Sequence, residues 1–267
     1  MEAARFEALR RKAHLRLLRM HYESGACHVG GNLSCLDALL ALYHRALAPH
    51  DRFILSKGHS AGAWYVALWS AGLLSEAELD SFCRDNTLLP GHPSGRGLPG
   101  LLFPTGSLGH GPALAAGLAM ALRHKGESGR VFCLCSDGEW QEGSCWESLA
   151  FAVRFALDKL IIMIDLNGWQ AFGSTKEVMG GPDLARRMEL LGARVAAVDG
   201  HDTAAVAEAL TQPGDGRPAA LIFRSRKGRG LYFENELRSH YCSLTRAQYE
   251  DGLRNYCLPG DRPCAGS

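Results

Sequence analysis

Two short polar turns carry the residues with the clearest chemistry in this chain. Ser136-Asp137-Gly138 closes an apolar run, and Asn167-Gly168, thirty residues further along, closes the next one. Between them the pattern predicts a strand over 131–135, a helix over 143–158 and a second strand over 160–165, which is one βαβ unit. Such crossovers join neighbouring parallel strands. Asp137 and Asn167 are therefore expected just past the carboxyl ends of two parallel strands, on the rim where open α/β sheets bind ligands. A carboxylate and a carboxamide there offer two oxygens to a hard cation. Mg²⁺ prefers such oxygens and draws its other ligands from phosphate and water. The pair predicts a magnesium–diphosphate site.

The elements that must hold these turns follow from periodicity and punctuation. Apolar residues Phe6, Leu9, Leu17 and Met20 recur at helical spacing and predict a helix over 5–23. A glycine-rich loop occupies 25–31. Ser34 reads as the cap of a helix over 35–47, with Asp37 three positions on completing a capping-box pattern. A short strand over 52–55 leads into Ser56-Lys57-Gly58-His59, and helices are expected over 60–71 and 75–84. Residues 86–105, rich in Gly and Pro, read as a long ordered loop, and such loops inside a compact domain are usually functional. A small-residue helix over 109–124 precedes the βαβ unit. Strands over 194–198 and 219–223 flank a helix over 203–211. Strands alternating with helices predict an α/β fold, a parallel sheet with helices on both faces. No repeat or linker divides the chain, and the tail after Tyr241 is expected to be surface or partly disordered.

The bulk numbers exclude several classes. The 267 residues suffice for one large domain, and 46% hydrophobic with 21% charged residues is a globular composition. A net charge of +1 gives no electrostatic case for nucleic acid or an acidic membrane. The longest apolar stretch, near 112–122, is far short of the ~20 residues that span a bilayer. Residues 1–20 lack the apolar centre of a secretory signal. The nine cysteines fit no zinc spacing and read as scattered thiols of a cytoplasmic protein.

Further blocks surround the two turns: Phe53-Ile54-Leu55-Ser56-Lys57-Gly58-His59, Gly91-His92-Pro93, Gly106-Ser107-Leu108-Gly109-His110-Gly111 and Asp137-Gly138-Glu139-Trp140-Gln141-Glu142-Gly143. Val198-Asp199-Gly200-His201-Asp202 and Arg226-Lys227-Gly228-Arg229-Gly230 follow. In this order, from about residue 5 to 241, they resemble the N-terminal, diphosphate-binding half of a transketolase, a thiamine-diphosphate (ThDP) enzyme. The resemblance implies that Asp137, Asn167 and the backbone carbonyl of Trp169 ligate Mg²⁺. It implies that His59, Gly106, Ser107, Leu108, Gly138, Glu139 and Asn167 lie against ThDP. It further implies that His28, His59, His92 and His240 bind the sugar and move protons, work that suits a group titrating near neutrality. His201 reads as structural. Glu142 is either an acid at the junction of two active-site halves or a helix-terminal charge. Arg224, Arg226, Lys227 and Arg229 contact a substrate phosphate or partner, or else form a solvated strand end.

Two positions depart from the family pattern. Ser136 stands where a glycine is usual and would be strained if that position needs a positive φ, and His110 stands where many relatives carry Gln. The family's aminopyrimidine-activating glutamate belongs to a pyrimidine-binding domain absent from this sequence. The resemblance therefore implies one subunit of a split transketolase: residues 1–241 as the ThDP/Mg-binding domain, 242–267 as a tail. A partner chain would supply that glutamate in an α2β2 heterotetramer, and a two-carbon ketol unit would pass from a ketose, phosphorylated or not, to an acceptor. The same turns fit one chain of a 2-oxo acid dehydrogenase, a deoxyxylulose-phosphate synthase or a non-catalytic cofactor-binding subunit.

Overall fold

Alternate residues of the apolar runs face opposite ways, and that alternation organises the molecule. A computed structural model describes residues 2–94, 97–180 and 183–257. In it Phe53, Phe132, Leu134, Met163, Leu221 and Phe223 face one core, and Ile54, Cys133, Cys135, Ile162, Ile164 and Ile222 face another. Strands buried on both sides are what a parallel sheet requires when crossover helices cover each face.

The chain begins with α1 (Ala3–Ser24), α2 (Val29–Ala41), β1 (Arg52–Leu55), α3 (Ala61–Ser70) and α4 (Glu76–Asp80). There follow α5 (Gly111–His124), β2 (Val131–Ser136), α6 (Gly143–Arg154), β3 (Leu160–Leu166), β4 (Trp169–Gln170), β5 (Gly173–Ser174) and α7 (Thr175–Met179). The last elements are α8 (Leu184–Leu191), β6 (Arg194–Asp199), α9 (Thr203–Thr211), β7 (Ala219–Arg224) and α10 (Arg246–Tyr256). Five strands form one parallel sheet in the order β1-β2-β3-β7-β6. α1, α2, α3 and α9 contribute to the first core, and α5, α6 and α8 to the second. The expected α/β architecture is therefore present. The βαβ unit pairs Val131 with Leu160 and Ser136 with Asp165, bringing the two turns side by side.

Several boundaries differ from the sequence reading, each for a local reason. Ser34 caps nothing. α2 starts earlier, at Val29, because His28 adopts a left-handed backbone (φ 66°) that turns the chain into the helix. The His28 carbonyl then accepts from the Asn32 backbone and side-chain nitrogens at 3.2 and 2.8 Å. Ser34 and Asp37 are consequently buried inside the helix. The helix expected over 75–84 is only α4, with a capping box between Ser75 and Glu78. Ser136 is the last residue of β2 and has no positive φ, so the serine brings no strain there. The tail is ordered in part. α10 packs on α1, stacking Tyr249 on Tyr22 with ring centroids 4.5 Å apart. The remainder of the predicted tail, 258–267, and residues 95–96 of the predicted long loop lie outside the described residues.

Candidate functional site

The oxygen-rich corner forms where β2 and β3 end. The Asp137 N–H donates to the Asp165 carbonyl at 3.3 Å, so the two turns leave the sheet together. Asp137 is buried. Its Oδ1 accepts from Gly138 N–H at 2.9 Å, and its Oδ2 from Gly168 N–H at 2.7 Å and the Thr175 hydroxyl at 3.1 Å. The Asn167 Oδ1 accepts from Trp169 N–H at 3.0 Å, and its Nδ2 donates to Asp165 Oδ2 at 3.1 Å. Burial, reinforced by the Asp165 charge, pushes the Asp137 carboxyl up to about 6. A cation beside it would relieve that cost. The available donors are the Asp137 carboxylate, the Asn167 carboxamide oxygen and the Trp169 carbonyl, a hard-oxygen set that fits Mg²⁺. The Trp169 carbonyl already accepts from Lys227 Nζ at 3.0 Å, but it has a second lone pair. Among the described residues no three His, Cys, Asp or Glu side chains gather as a metal cage. An ion here would complete its shell from backbone, phosphate and water.

All four predicted histidines meet. The His28 ring centroid lies 5.7 Å from that of His59, 6.1 Å from His92 and 5.0 Å from His240. His59 and His240 are 5.9 Å apart. They come from four places: the α2 cap, the turn after β1, the long loop and the segment after β7. Burial lowers the pKa of each, and for His59 the Lys57 charge adds to it. His240 is pushed to about 3 by burial and by Lys227, whose Nζ donates to its Nδ1 at 2.8 Å. All four rings are thus neutral near pH 7, able both to accept and to donate.

Lys227 links the two clusters. It is buried, with its pKa lowered to about 8 by desolvation and by Lys57. This corrects the solvated-strand-end alternative for Lys227, whereas Arg224 and Arg226 are exposed. Ser225 turns toward Asp165, Arg226 outward and Lys227 inward, an alternation that the contacts show and the run of basic residues hides. Two more unforeseen residues are Thr105 and Gln170. Their side-chain oxygens, with His28 Nδ1, are buried without a hydrogen-bond partner. Buried polar atoms are normally satisfied; Thr105 lies beside Gly58 and Gln170 beside Gly138, and a ligand there could satisfy them.

The Gly106–Leu108 turn lies beside the histidines. A Cβ on Gly106 (φ 149°) would stand 3.3 Å from the His92 ring. One on Gly58 would meet Gly106 N at 2.8 Å, so the turn after β1 and this turn pack backbone to backbone. Gly106, Ser107 and Leu108 are exposed. Glu139 has a structural task of its own. Its carboxylate is wholly buried and accepts from the Ser56 hydroxyl, Gly109 N–H at 2.9 Å and Ser136 N–H at 3.2 Å. It braces three loops and leaves only its backbone for a ligand. Gly138 packs against Gln170. Glu142 sits exposed at the N-terminus of α6 without a side-chain capping bond, and His110 is exposed at that of α5. His201 is structural: it accepts from Arg226 N–H at 3.0 Å and bonds the buried Asp37 at 2.9 Å.

Known proteins resemble this chain over nearly its full length. The family profile "Transketolase, thiamine diphosphate binding domain" matches residues 15–259. An apulose-4-phosphate transketolase subunit from Actinobacillus succinogenes is 36% identical over 238 residues, covering 85% of each chain. The 6-deoxy-6-sulfo-D-fructose transketolase subunit SqwG of Clostridium sp. MSTE9 is 36% identical over 238 residues, 85% of this chain and 86% of that one. Among solved structures, a transketolase from Campylobacter jejuni superposes with a TM-score of 0.88 at 25% identity. That match covers 96% of this chain and 43% of the Campylobacter one, so the chain spans less than half the length of that enzyme.

Proposed function

Since this chain belongs to the transketolase family, we propose that it is the diphosphate-binding subunit of a two-chain, ThDP- and Mg²⁺-dependent transketolase. It would transfer a two-carbon ketol unit from a ketose to an acceptor. The observation that carries this reading is the meeting of the oxygen corner and the four neutral histidines on one rim, joined by Lys227 between the Trp169 carbonyl and His240. Similar relatives of similar length are themselves named as subunits, which supports a partner chain carrying the pyrimidine-binding half and its activating glutamate. An α2β2 assembly belongs to the same proposal. So does a cytoplasmic location; no helix among the described residues is long and apolar enough to cross a membrane.

Asp137, Asn167 and the Trp169 carbonyl would hold Mg²⁺, and the Gly106–Leu108 turn, Gly138 and His59 would line ThDP. When bound, ThDP supplies the ring that stabilises a carbanion. The chain's own share is orientation and proton handling. His28, His92 and His240, neutral at working pH, accept and return protons at the substrate hydroxyls. The two relatives are named for a phosphorylated and a sulfonated ketose, and an anion-bearing ketose is the donor class we propose.

The test is co-expression with the candidate pyrimidine-binding chain, followed by ThDP and Mg²⁺ binding and ketol transfer for each chain and for the mixture. Turnover and tight binding only in the mixture support the proposal. Normal turnover by this chain alone would rule out the two-chain reading. Binding without any ketose donor favours a 2-oxo acid substrate, and absence of ThDP binding in the mixture favours a non-catalytic role.

A further inference from the structure

Behind the oxygen corner lies a buried ion pair that no motif reading required. Lys57 is fully buried, and its Nζ donates to Asp165 Oδ2 and, at 3.2 Å, to the Gly31 carbonyl. Asp165 accepts on the same oxygen from the Ser34 hydroxyl at 2.5 Å and from Asn167 Nδ2 at 3.1 Å. The Ser225 hydroxyl donates to its Oδ1. The Lys57 ammonium and two hydroxyls, Ser34 and Ser225, all converge on the Asp165 carboxylate within hydrogen-bonding distance. An ionised carboxylate can only accept. Whatever faces Asp165 must therefore be a donor, which fixes the Asn167 amide with nitrogen toward Asp165 and oxygen away from it.

The Gly31 carbonyl is the second anchor. Besides Lys57 it accepts from the Ser60 hydroxyl at 2.9 Å, and the Ser34 oxygen, whose proton goes to Asp165, lies 3.0 Å from it. Gly31 lies in the first turn of α2, three residues past His28. One cationic nitrogen thus touches the carboxylate that orients Asn167 and the helix turn that carries His28.

We infer that the Lys57–Asp165 pair is a positioning unit: it fixes which end of the Asn167 carboxamide faces a bound divalent cation, and ties that orientation to the histidine-bearing start of α2. The inference rests on the metal reading above. Partners that orient a metal ligand from behind typically contribute 10–100-fold to metal affinity.

The experiment measures Mn²⁺ affinity by electron paramagnetic resonance, with ThDP present, for the full chain mixed with its partner chain. The variants are Asp165→Asn, the apolar double replacement Lys57→Met/Asp165→Leu, and Ser34→Ala/Ser225→Ala. Replacing a buried ion pair as a unit is often tolerated, and the serine double removes no charge, so at least one variant folds. Folded variants are expected to bind Mn²⁺ at least about tenfold more weakly, with KM for the ketose little changed and turnover restored by excess Mg²⁺. A merely structural role would lower turnover without rescue by the metal. Wild-type affinity in variants that keep the native near-ultraviolet circular dichroism would overturn the inference alone. Absence of Mn²⁺ binding by the wild-type mixture would overturn the metal reading and the inference with it.

Discussion

The two sides of the site are built on opposite terms. The oxygen corner is closed: Asp137, Asn167, Asp165 and Lys57 are buried, and their polar atoms are held by one another and by backbone donors. Other segments around it are open. Gly106, Ser107 and His92 are exposed, and Leu108 and Phe172 offer apolar surface, 36% and 84% accessible. The difference teaches where the information for the reaction resides. The end that would grip a charged diphosphate is pre-organised within this chain, where fixed dipoles cost no reorganisation on binding. The other end keeps unsatisfied edges, as expected of a half-site that a second chain completes.

The comparison can be broken from its closed side first. Asp137→Ala removes the buried carboxylate of the proposed cation site; losses of about 3–5 kcal/mol accompany such truncations, so Mg²⁺ affinity of the two-chain mixture is expected to fall about 1,000-fold. Calorimetric titration checks it, and an unchanged affinity would show that the corner holds no cation.

A second probe uses acid. His21 is fully buried behind the histidine loop, and burial lowers its pKa to about 4. Its neutral form must protonate on unfolding, so its contribution is complete above the unfolded value near 6.5 and is lost as pH falls toward 4. The expected loss is about 3 kcal/mol between pH 7 and pH 4, read by urea denaturation. His21→Met should flatten that slope; an unchanged slope would place the acid sensitivity elsewhere.

Single replacement of His28 or His240 by Ala is expected to lower kcat/KM by about 100-fold while ThDP affinity holds, if both meet the substrate as proposed. Equal loss of cofactor binding would erase the distinction between the two sides. The smallest effect is expected in hydrogen exchange. The partner chain should slow exchange across residues 105–110 and 171–174 by about tenfold or more and leave the ends of β2 and β3 unchanged.

How much of this could be read from the chain itself depended on range. The βαβ unit was legible because two continuous apolar runs end at the turns of Asp137 and Asn167, and parallel pairing in register does the rest. The meeting of His28, His59, His92 and His240 was not contained in spacing. It came from family resemblance, because those residues are brought together by contacts between distant loops. Lys57, Lys227 and Ser34 escape a sequence reading for a related reason. A lysine in a sequence reads as solvated, and only the tertiary placement of Asp165 and Trp169 makes it a buried donor. Ser34 looks like a cap because the left-handed turn at His28, which starts α2 early, is rare for a residue with a Cβ.

That left-handed histidine sets stability against activity. A side chain at φ 66° costs on the order of 1 kcal/mol relative to glycine. His28→Gly should therefore yield a protein at least as resistant to heat as the parent but without its central imidazole. If His28 serves turnover as proposed, screens that reward thermal resistance alone would drift toward a variant that has lost it. On the proposed role, selection for turnover would keep a residue that the backbone alone disfavours.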